Sequence, residues 1–536
     1  MAADPDPSTR TELAELLARG ATDELADRFA SRLRFGTSGL RAPMGAGPAR
    51  MNRLVVRQLA TGLGRWLGHG ATVVVGRDAR HRSEAFAEDT AGVLAALGCH
   101  PQVLPGPLPT PVLAFAVRHL GADAGVMVTA SHNPAGDNGY KVYLADGAQP
   151  VPPTDAELVA AMDDAAGAEV PPVAPDDARI VRLDDSVVEA YLQHALGVLG
   201  PDGPRDLEIA YTPLHGVGGA LTLRLLAAAG FPAPTVVASQ MQPDPEFPTV
   251  AYPNPEEPGA LDLVLAAAAT AGSDLVLAHD PDADRLGVAA RRGDEWVALD
   301  GNQIAALLAD HLLGRTSGPD RLVVRTLVSS SLVDRIAEAH GVHHAETLTG
   351  FKWVVRVGMA HPEWRWILGF EEALGYAVDG YVRDKDGLTA ALVMAELAAG
   401  LRAEGRTVWD RLDDLATLYG HHRTGAVSVR FTGPGAARQA PTRLEALRAS
   451  PPATLGGLAV TGVDDLAAGG PLPPADVVVW HLEGGARVAV RPSGTEPKLK
   501  GYVEVVAADE RTATASLDAV VADLRALLAG ATGTGR

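Results

Sequence analysis

Residues 129–134 read Thr-Ala-Ser-His-Asn-Pro, between the apolar run Ala124–Val128 and the glycine-rich stretch Ala135-Gly-Asp-Asn-Gly139. A serine on a turn at the end of a buried strand presents its hydroxyl to a substrate. Ser131 therefore reads as a nucleophile or phosphate carrier. His132 can move a proton, and Lys141 can hold an anion. Ser, Asn and Pro also build ordinary turns, so the hexapeptide draws its weight from three further motifs and from an oddity of composition.

The oddity is lysine. Of 46 lysines and arginines only five are lysine: Lys141, Lys352, Lys385, Lys498 and Lys500. Each lies in or beside a glycine-punctuated segment, and none is expected on a routine amphipathic helix face. A chain that prefers arginine has kept lysine where a compact, deprotonatable ammonium is useful.

The second motif, His279-Asp-Pro-Asp-Ala-Asp-Arg285, follows the apolar run Asp274–Ala278. Carboxylates at alternate positions, Asp280, Asp282 and Asp284, repel one another unless a cation lies between them. Hard oxygen ligands on a loop suit Mg²⁺; the alternative is a solvated acidic turn. The third motif, Gly369-Phe-Glu-Glu-Ala-Leu-Gly375, pairs Glu371 with Glu372, which can accept hydrogen bonds from vicinal sugar hydroxyls or form an exposed acidic loop. The fourth, Arg491-Pro-Ser-Gly-Thr-Glu-Pro-Lys498, packs charge, hydroxyls and glycine-freed amides into a compact phosphate clamp. A further segment, Arg34–Arg41, offers arginine and amides for a second phosphate contact.

Elements of regular length must position these motifs. Candidate strands are 71–76, 124–129, 207–211, 235–238, 274–278, 321–326 and 365–368, separated by helical stretches such as 84–97, 221–229, 261–271, 303–313 and 332–340. This alternation predicts doubly wound α/β domains, whose ligands bind at the carboxyl ends of strands. Residues 150–175 read as loose, proline-rich chain. After about 420 the runs shorten and end in one helix over 510–528, predicting a small α+β domain. Boundaries are placed near 200, 314 and 424, giving domains 1–200 (serine loop), 201–314 (metal loop), 315–424 (sugar loop) and 425–536 (phosphate loop).

Together the motifs, in this order and over nearly the whole chain, resemble the α-D-phosphohexomutase family. The resemblance implies three doubly wound α/β domains plus a smaller C-terminal α+β domain around a central cleft. It implies that Ser131 is the phosphorylated serine and that Asp280, Asp282 and Asp284 hold Mg²⁺ with that phosphate. Glu371 and Glu372 would grip sugar hydroxyls, while Arg491, Ser493, Gly494, Thr495 and Lys498 would bind the non-reacting phosphate. His132, Lys141 and Lys385 resemble positions for phosphate contact or proton transfer, Arg41 resembles the arginine that faces the phosphoserine, and Arg285 would stabilise charge in transfer. Thr349-Gly-Phe-Lys352, with Gly350 and Lys352, and Asp384-Lys-Asp-Gly387 look like the branch of bacterial phosphoglucomutases and eukaryotic phosphoglucomutase/phosphopentomutases. Many members have Ser where this chain has Ala373. The implied reaction moves phosphate between the 1- and 6-positions of a sugar, most simply glucose, with a sugar 1,6-bisphosphate as intermediate and activator. Mannose and pentose phosphates are the alternatives.

Composition bounds the rest. A chain of 536 residues holds several domains. Cys99 is the one cysteine, which excludes an internal disulfide and suits a reducing compartment. The first residues show neither the basic nor the apolar region of a signal peptide, and no apolar stretch is long enough to span a bilayer, so a cytoplasmic protein without a membrane partner is expected, as monomer or homodimer. A net charge of −20 argues against a nucleic-acid partner and leaves a small phosphosugar as the expected one. Rival readings are a haloacid-dehalogenase-type phosphatase with Asp280 as nucleophile and a phosphosugar-binding regulator without turnover. An ATP-dependent kinase is disfavoured by the lack of a Gly-x-x-x-x-Gly-Lys-Ser/Thr loop.

Overall fold

The computed structural model describes residues 4–33, 39–432, 436–493 and 497–530. They form two compact units, one from the chain up to Gly301 with Ala373–Thr407, the other from Asn302–Glu372 with the chain from Val408 onward.

The first unit holds two mixed sheets. One comprises β1 (Leu40–Pro43), β2 (Thr72–Arg77), β3 (His100–Pro107), β4 (Ala124–Val128), β5 (Asp137–Leu144) and β6 (Val181–Arg182), in the order β1-β5-β4-β2-β3-β6. β2 runs parallel to β3 and β4, as the alternation predicts, and helices Arg53–Leu67, Ser83–Ala96 and Thr110–His119 accompany them. β4 is buried along its whole length, so its apolar run cannot alternate. β5 departs from a doubly wound sheet: it returns antiparallel to β4, and β1 adds antiparallel to β5. A short loop joins β4 to β5, and a parallel crossover would need a dozen or more residues. The close return requires Gly139, where a Cβ would stand 2.4 Å from the Thr129 carbonyl oxygen.

The other sheet comprises β7 (Ile209–Thr212), β8 (Thr235–Val236), β9 (Leu275–His279), β10 (Leu286–Arg292) and β11 (Glu295–Leu299), ordered β11-β10-β9-β7-β8. β9 and β10 are antiparallel with His279 opposite Leu286, so the acidic motif is the connection of a hairpin. Residues 150–175 are not uniformly loose. Leu158, Met162 and Ala165 share one face and bury it, forming helix Thr154–Asp164, which lies so close to Gly62 that a Cβ there would meet Met162 Cα at 2.4 Å.

In the second unit, β12 (Arg321–Thr326) lies parallel to both β13 (His343–Thr347) and β14 (Arg365–Glu371). β15 (Gly375–Ala377) already belongs to the first unit. A six-stranded antiparallel sheet follows: β16 (His421–Arg430), β17 (Thr454–Leu455), β18 (Leu458–Asp465), β19 (Val478–Leu482), β20 (Arg487–Pro492) and β21 (Lys498–Ala507), ordered β16-β21-β20-β19-β18-β17. Its core centres on Trp480, Val488, Val490, Val503 and Leu524, the last from helix Glu510–Ala529. This is the expected small α+β domain.

Candidate active site

The loop after β4 turns sharply at Ser131, which adopts φ +52°. A non-glycine residue there is strained and is held only by its surroundings. The Ser131 N–H donates to Thr129 Oγ1 at 2.9 Å. The hydroxyl donates to Asp280 Oδ2 at 2.8 Å and stands 3.1 Å from His132 Nδ1. Burial, then the positive charges of Arg285 and Arg41, hold the His132 imidazole well below its ordinary pKa, so it is neutral. Arg41, on β1, donates to Asn133 Oδ1 of the same loop at 3.3 Å.

Asp280, Asp282 and Asp284 are fully buried, and each offers an oxygen within 4.8 Å of the others. Lys141, midway along β5, reaches Asp282 Oδ2 at 2.7 Å and Asp284 Oδ2 at 2.9 Å. Lys385 lies 3.2 Å from Asp284 Oδ2 and 3.1 Å from Asp384 Oδ1. The Arg285 N–H donates to Asp280 Oδ1 at 3.1 Å.

These contacts sort the carboxylates. Burial raises the Asp284 carboxyl, but Lys141, Lys385 and Arg285 outweigh it and hold the group well below the usual carboxylate range. On Asp280 and Asp282 burial and the Asp284 charge prevail, and both are pushed up. Asp282 Oδ1 and Asp284 Oδ1 are buried without a hydrogen-bond partner. Buried oxygens of this kind are costly unless satisfied, so the donor set fits a hard divalent cation.

Burial disfavours the Lys141 ammonium, yet Asp282 and Asp284 overcome this and raise its pKa. The expectation of a readily deprotonated lysine is therefore corrected at Lys141: it is a fixed charge. The separate expectation that no lysine lies on an amphipathic helix is corrected at Lys352, which is in the first turn of helix Phe351–Ala360.

Sequence patterning had not drawn out Asp384, Tyr143 or Thr110. Asp384 Oδ2 accepts from Tyr143 Oη at 2.6 Å and from Gln149 Nε2 at 2.9 Å, which fixes the carboxylate beneath Lys385. Thr110 Oγ1 donates to Asp282 Oδ2 at 2.5 Å. Asp384 stood within a noted motif; nothing in the sequence marked the other two.

In the second unit, Glu371 ends β14 and Glu372 opens the following turn. The Gly350 N–H donates to Glu371 Oε1 at 2.8 Å. Glu372 Oε2 accepts from Ser329 Oγ at 3.0 Å and from Thr326 Oγ1 at 3.4 Å. Arg491 stands at the end of β20 opposite Lys500, and the Ser493 N–H donates to the Lys498 carbonyl at 2.8 Å. Tyr502 hydrogen-bonds Arg491 and feels the charges of Glu372 and Glu371; burial pushes its phenol above the ordinary value. Gly494 and Thr495, assigned to the clamp, lie outside the described residues, as does Arg34.

Four family models cover the chain: phosphoglucomutase/phosphomannomutase alpha/beta/alpha domains I, II and III over residues 32–168, 189–293 and 300–419, and the C-terminal domain over 436–523. The chain belongs to the phosphoglucomutase/phosphomannomutase family. It is an enzyme of the phosphosugar mutase class, an intramolecular phosphotransferase. It is similar to a probable phosphomannomutase of Haemophilus influenzae, 40% identical over 86% of this chain and 94% of the relative. A probable phosphoribomutase of Schizosaccharomyces pombe is 36% identical over 93% and 91%. A Staphylococcus epidermidis phosphoglucomutase is 34% identical over 90% and 92%. A solved phosphoglucomutase/phosphomannomutase family protein from Burkholderia thailandensis shares the fold, with TM-score 0.72, 21% identity and coverage of 93% of this chain and 98% of that one. Among the described residues no helix is long and apolar enough to cross a membrane.

Proposed function

We propose that this mutase interconverts glucose 1-phosphate and glucose 6-phosphate through a phosphoserine at Ser131. The observation that carries the reading is the Ser131 hydroxyl, strained into place 2.8 Å from Asp280 Oδ2 beside two unsatisfied carboxylate oxygens. In the first half-reaction the bond from Ser131 Oγ to phosphorus breaks as a bond from the sugar 6-oxygen to phosphorus forms. The 6-hydroxyl proton goes to a base, a role the neutral His132 is able to take. The resulting 1,6-bisphosphate turns over, the 1-phosphoryl returns to Ser131, and the 1-oxygen regains a proton.

Lys141, Lys385 and Arg285 would set positive charge against the negative charge of the phosphoryl oxygens, and preorganised charge needs no reorganisation at the moment of transfer. Asp280, Asp282 and Asp284 would hold Mg²⁺, which when bound neutralises phosphoryl charge. Arg41 would contact the phosphoserine. Glu371 and Glu372 would read sugar hydroxyls, with Gly350 setting the Glu371 rotamer and Lys352 nearby in sequence. Arg491, Ser493, Gly494, Thr495 and Lys498 would grip the phosphate that does not react.

The relatives differ in sugar, and Glu371–Glu372 suits the 3- and 4-hydroxyls that glucose and mannose share. Ala373 lacks a hydroxyl that would tighten the grip, so preference should be broad. One neutral hydrogen bond is worth about 0.5–1.5 kcal/mol, or discrimination of about tenfold. The test is kcat/KM across glucose, mannose and ribose 1-phosphates with glucose 1,6-bisphosphate present, together with peptide mass spectrometry. Phosphate on Ser131 is expected. Phosphate only on Asp280 would favour the phosphatase reading, and a hundredfold preference for ribose 1-phosphate would overturn the sugar assignment.

A further inference from the structure

Ser131 is strained, and one buried side chain ties down the chain around it. Arg80 follows β2 in the segment Asp78–Ser83 and is 4% exposed. Its Nη2 donates to the carbonyls of Ser131 at 2.6 Å and Asn133 at 2.5 Å. Its Nη1 donates to the carbonyls of Pro134 at 2.8 Å and Asp137 at 3.2 Å. One guanidinium thus gathers four carbonyls across seven residues, all on the loop that carries the phosphate acceptor.

The guanidinium is itself fixed. Its Nε lies 3.4 Å from Asp78 Oδ2, and its plane lies 4.9 Å from the Phe247 ring centroid. Asp78 grips the other flank of the turn. Its Oδ2 accepts from Thr129 Oγ1 at 2.6 Å, the same hydroxyl that receives the Ser131 N–H. Its Oδ1 accepts from Ser83 Oγ at 2.6 Å and from the Arg80 N–H at 3.0 Å. Both faces of the Ser131 peptide are therefore referred to one residue pair that hydrogen-bonds the serine loop and makes no hydrogen bond to Asp280, Asp282 or Asp284.

We propose that Arg80, braced by Asp78, is a positioning residue that holds Ser131 Oγ in line for phosphoryl transfer. Only a rigid planar fork can serve four carbonyls at once; a lysine ammonium has three N–H donors and cannot. Displacing a reacting atom by about 1 Å costs about a hundredfold in rate. The phosphate and sugar contacts, on the second unit, are untouched.

The assignment rests on Ser131 as the phosphate carrier, and the experiment separates the two claims. Wild type and Arg80→Lys are incubated with glucose 1,6-bisphosphate, and phosphate on the Ser131 peptide is followed by mass spectrometry, with kcat and KM for glucose 1-phosphate alongside. Labelling and kcat are expected to fall about a hundredfold in Arg80→Lys while KM stays within about threefold. Arg53→Lys, which loosens a guanidinium held on Asp89 between helices Arg53–Leu67 and Ser83–Ala96, should leave both rates unchanged. Equal labelling of wild type and Arg80→Lys overturns the positioning role, as does an equal loss in Arg53→Lys. A wild type that never acquires phosphate on Ser131 overturns the phosphoserine reading instead. Should Arg80→Lys fail to fold, Phe247→Leu removes the ring against the guanidinium and should slow labelling about fivefold at constant KM; unchanged labelling there also overturns the role.

Discussion

Replacing Asp386 by asparagine should make the protein more stable at neutral pH and leave it little changed at pH 4. Asp386 precedes helix Gly387–Ala403 and caps it: Oδ1 accepts the N–H of Leu388 at 3.0 Å and of Thr389 at 3.1 Å. The carboxyl is fully buried, and burial pushes it up to about 6 from an ordinary 3.8, despite the hydrogen bonds it accepts from Thr389 and the Tyr191 phenol. An acid whose folded pKa is raised binds more protons in the native state than in the unfolded one. Stability is therefore lost as pH rises from about 4 to about 6. A shift of about two units at 1.36 kcal/mol each amounts to about 3 kcal/mol, a large share of a typical net stability. Asparagine keeps an oxygen for both N–H groups and cannot ionise. The assay is scanning calorimetry of wild type and Asp386→Asn at pH 4 and pH 7.5, read as the difference in Tm, in which the titrations of groups that do not feel Asp386 cancel; His194, whose pKa Asp379 and Asp386 help to raise, is the neighbour that does. At roughly 2 °C per kcal/mol for a unit of this size, the difference should grow by about 6 °C in favour of the variant. A difference independent of pH, or one favouring wild type at pH 7.5, would refute the reasoning.

Two further outcomes follow from the site. Asp282→Asn should remain folded but lose turnover, and chelator should silence the wild type, since a lost metal ligand withdraws several kcal/mol of charge stabilisation; undiminished turnover in excess chelator counts against the metal. Arg491→Ala should raise KM for glucose 1-phosphate roughly 10–150-fold, the equivalent of about 1.5–3 kcal/mol of charge-assisted bonding, with a smaller loss of kcat; steady-state kinetics with both parameters unchanged removes the residue from the clamp.

The chemistry was legible wherever it is local. Ser131 and the alternate aspartates sit on turns that the flanking apolar runs delimit. The small antiparallel C-terminal domain announced itself through its short runs. The antiparallel return of β5 was not legible, because that strand is buried on both faces and shows no alternation. Nor was the state of Lys141: its partners lie more than a hundred residues away, and only their geometry says that the ammonium stays charged. Arg80 carried no signal at all, being one arginine in an arginine-rich chain, and its partners are backbone carbonyls, which any sequence supplies. Asp384 and Asp386 flank the same lysine in one short motif yet do different jobs, one paired to Lys385 and the other capping a helix.

The first unit is discontinuous, and this imposes an order on biosynthesis. Residues 302–372 are translated before Ala373–Thr407 returns to complete it. Until that return, Asp284 has Lys141 but not Lys385, His279 Nε2 lacks the Gly387 carbonyl 3.0 Å away, and the Leu286 N–H lacks the Leu374 carbonyl. Helix Gly387–Ala403, almost wholly buried, is equally missing. A nascent chain halted near residue 372 therefore carries Asp284 without one of its two lysine partners, and the residues that bury helix Gly387–Ala403 still lack it. That is the species a ribosome-associated chaperone would meet. Completion of the cluster around Asp284 waits on a segment encoded well after Ser131 and the aspartates.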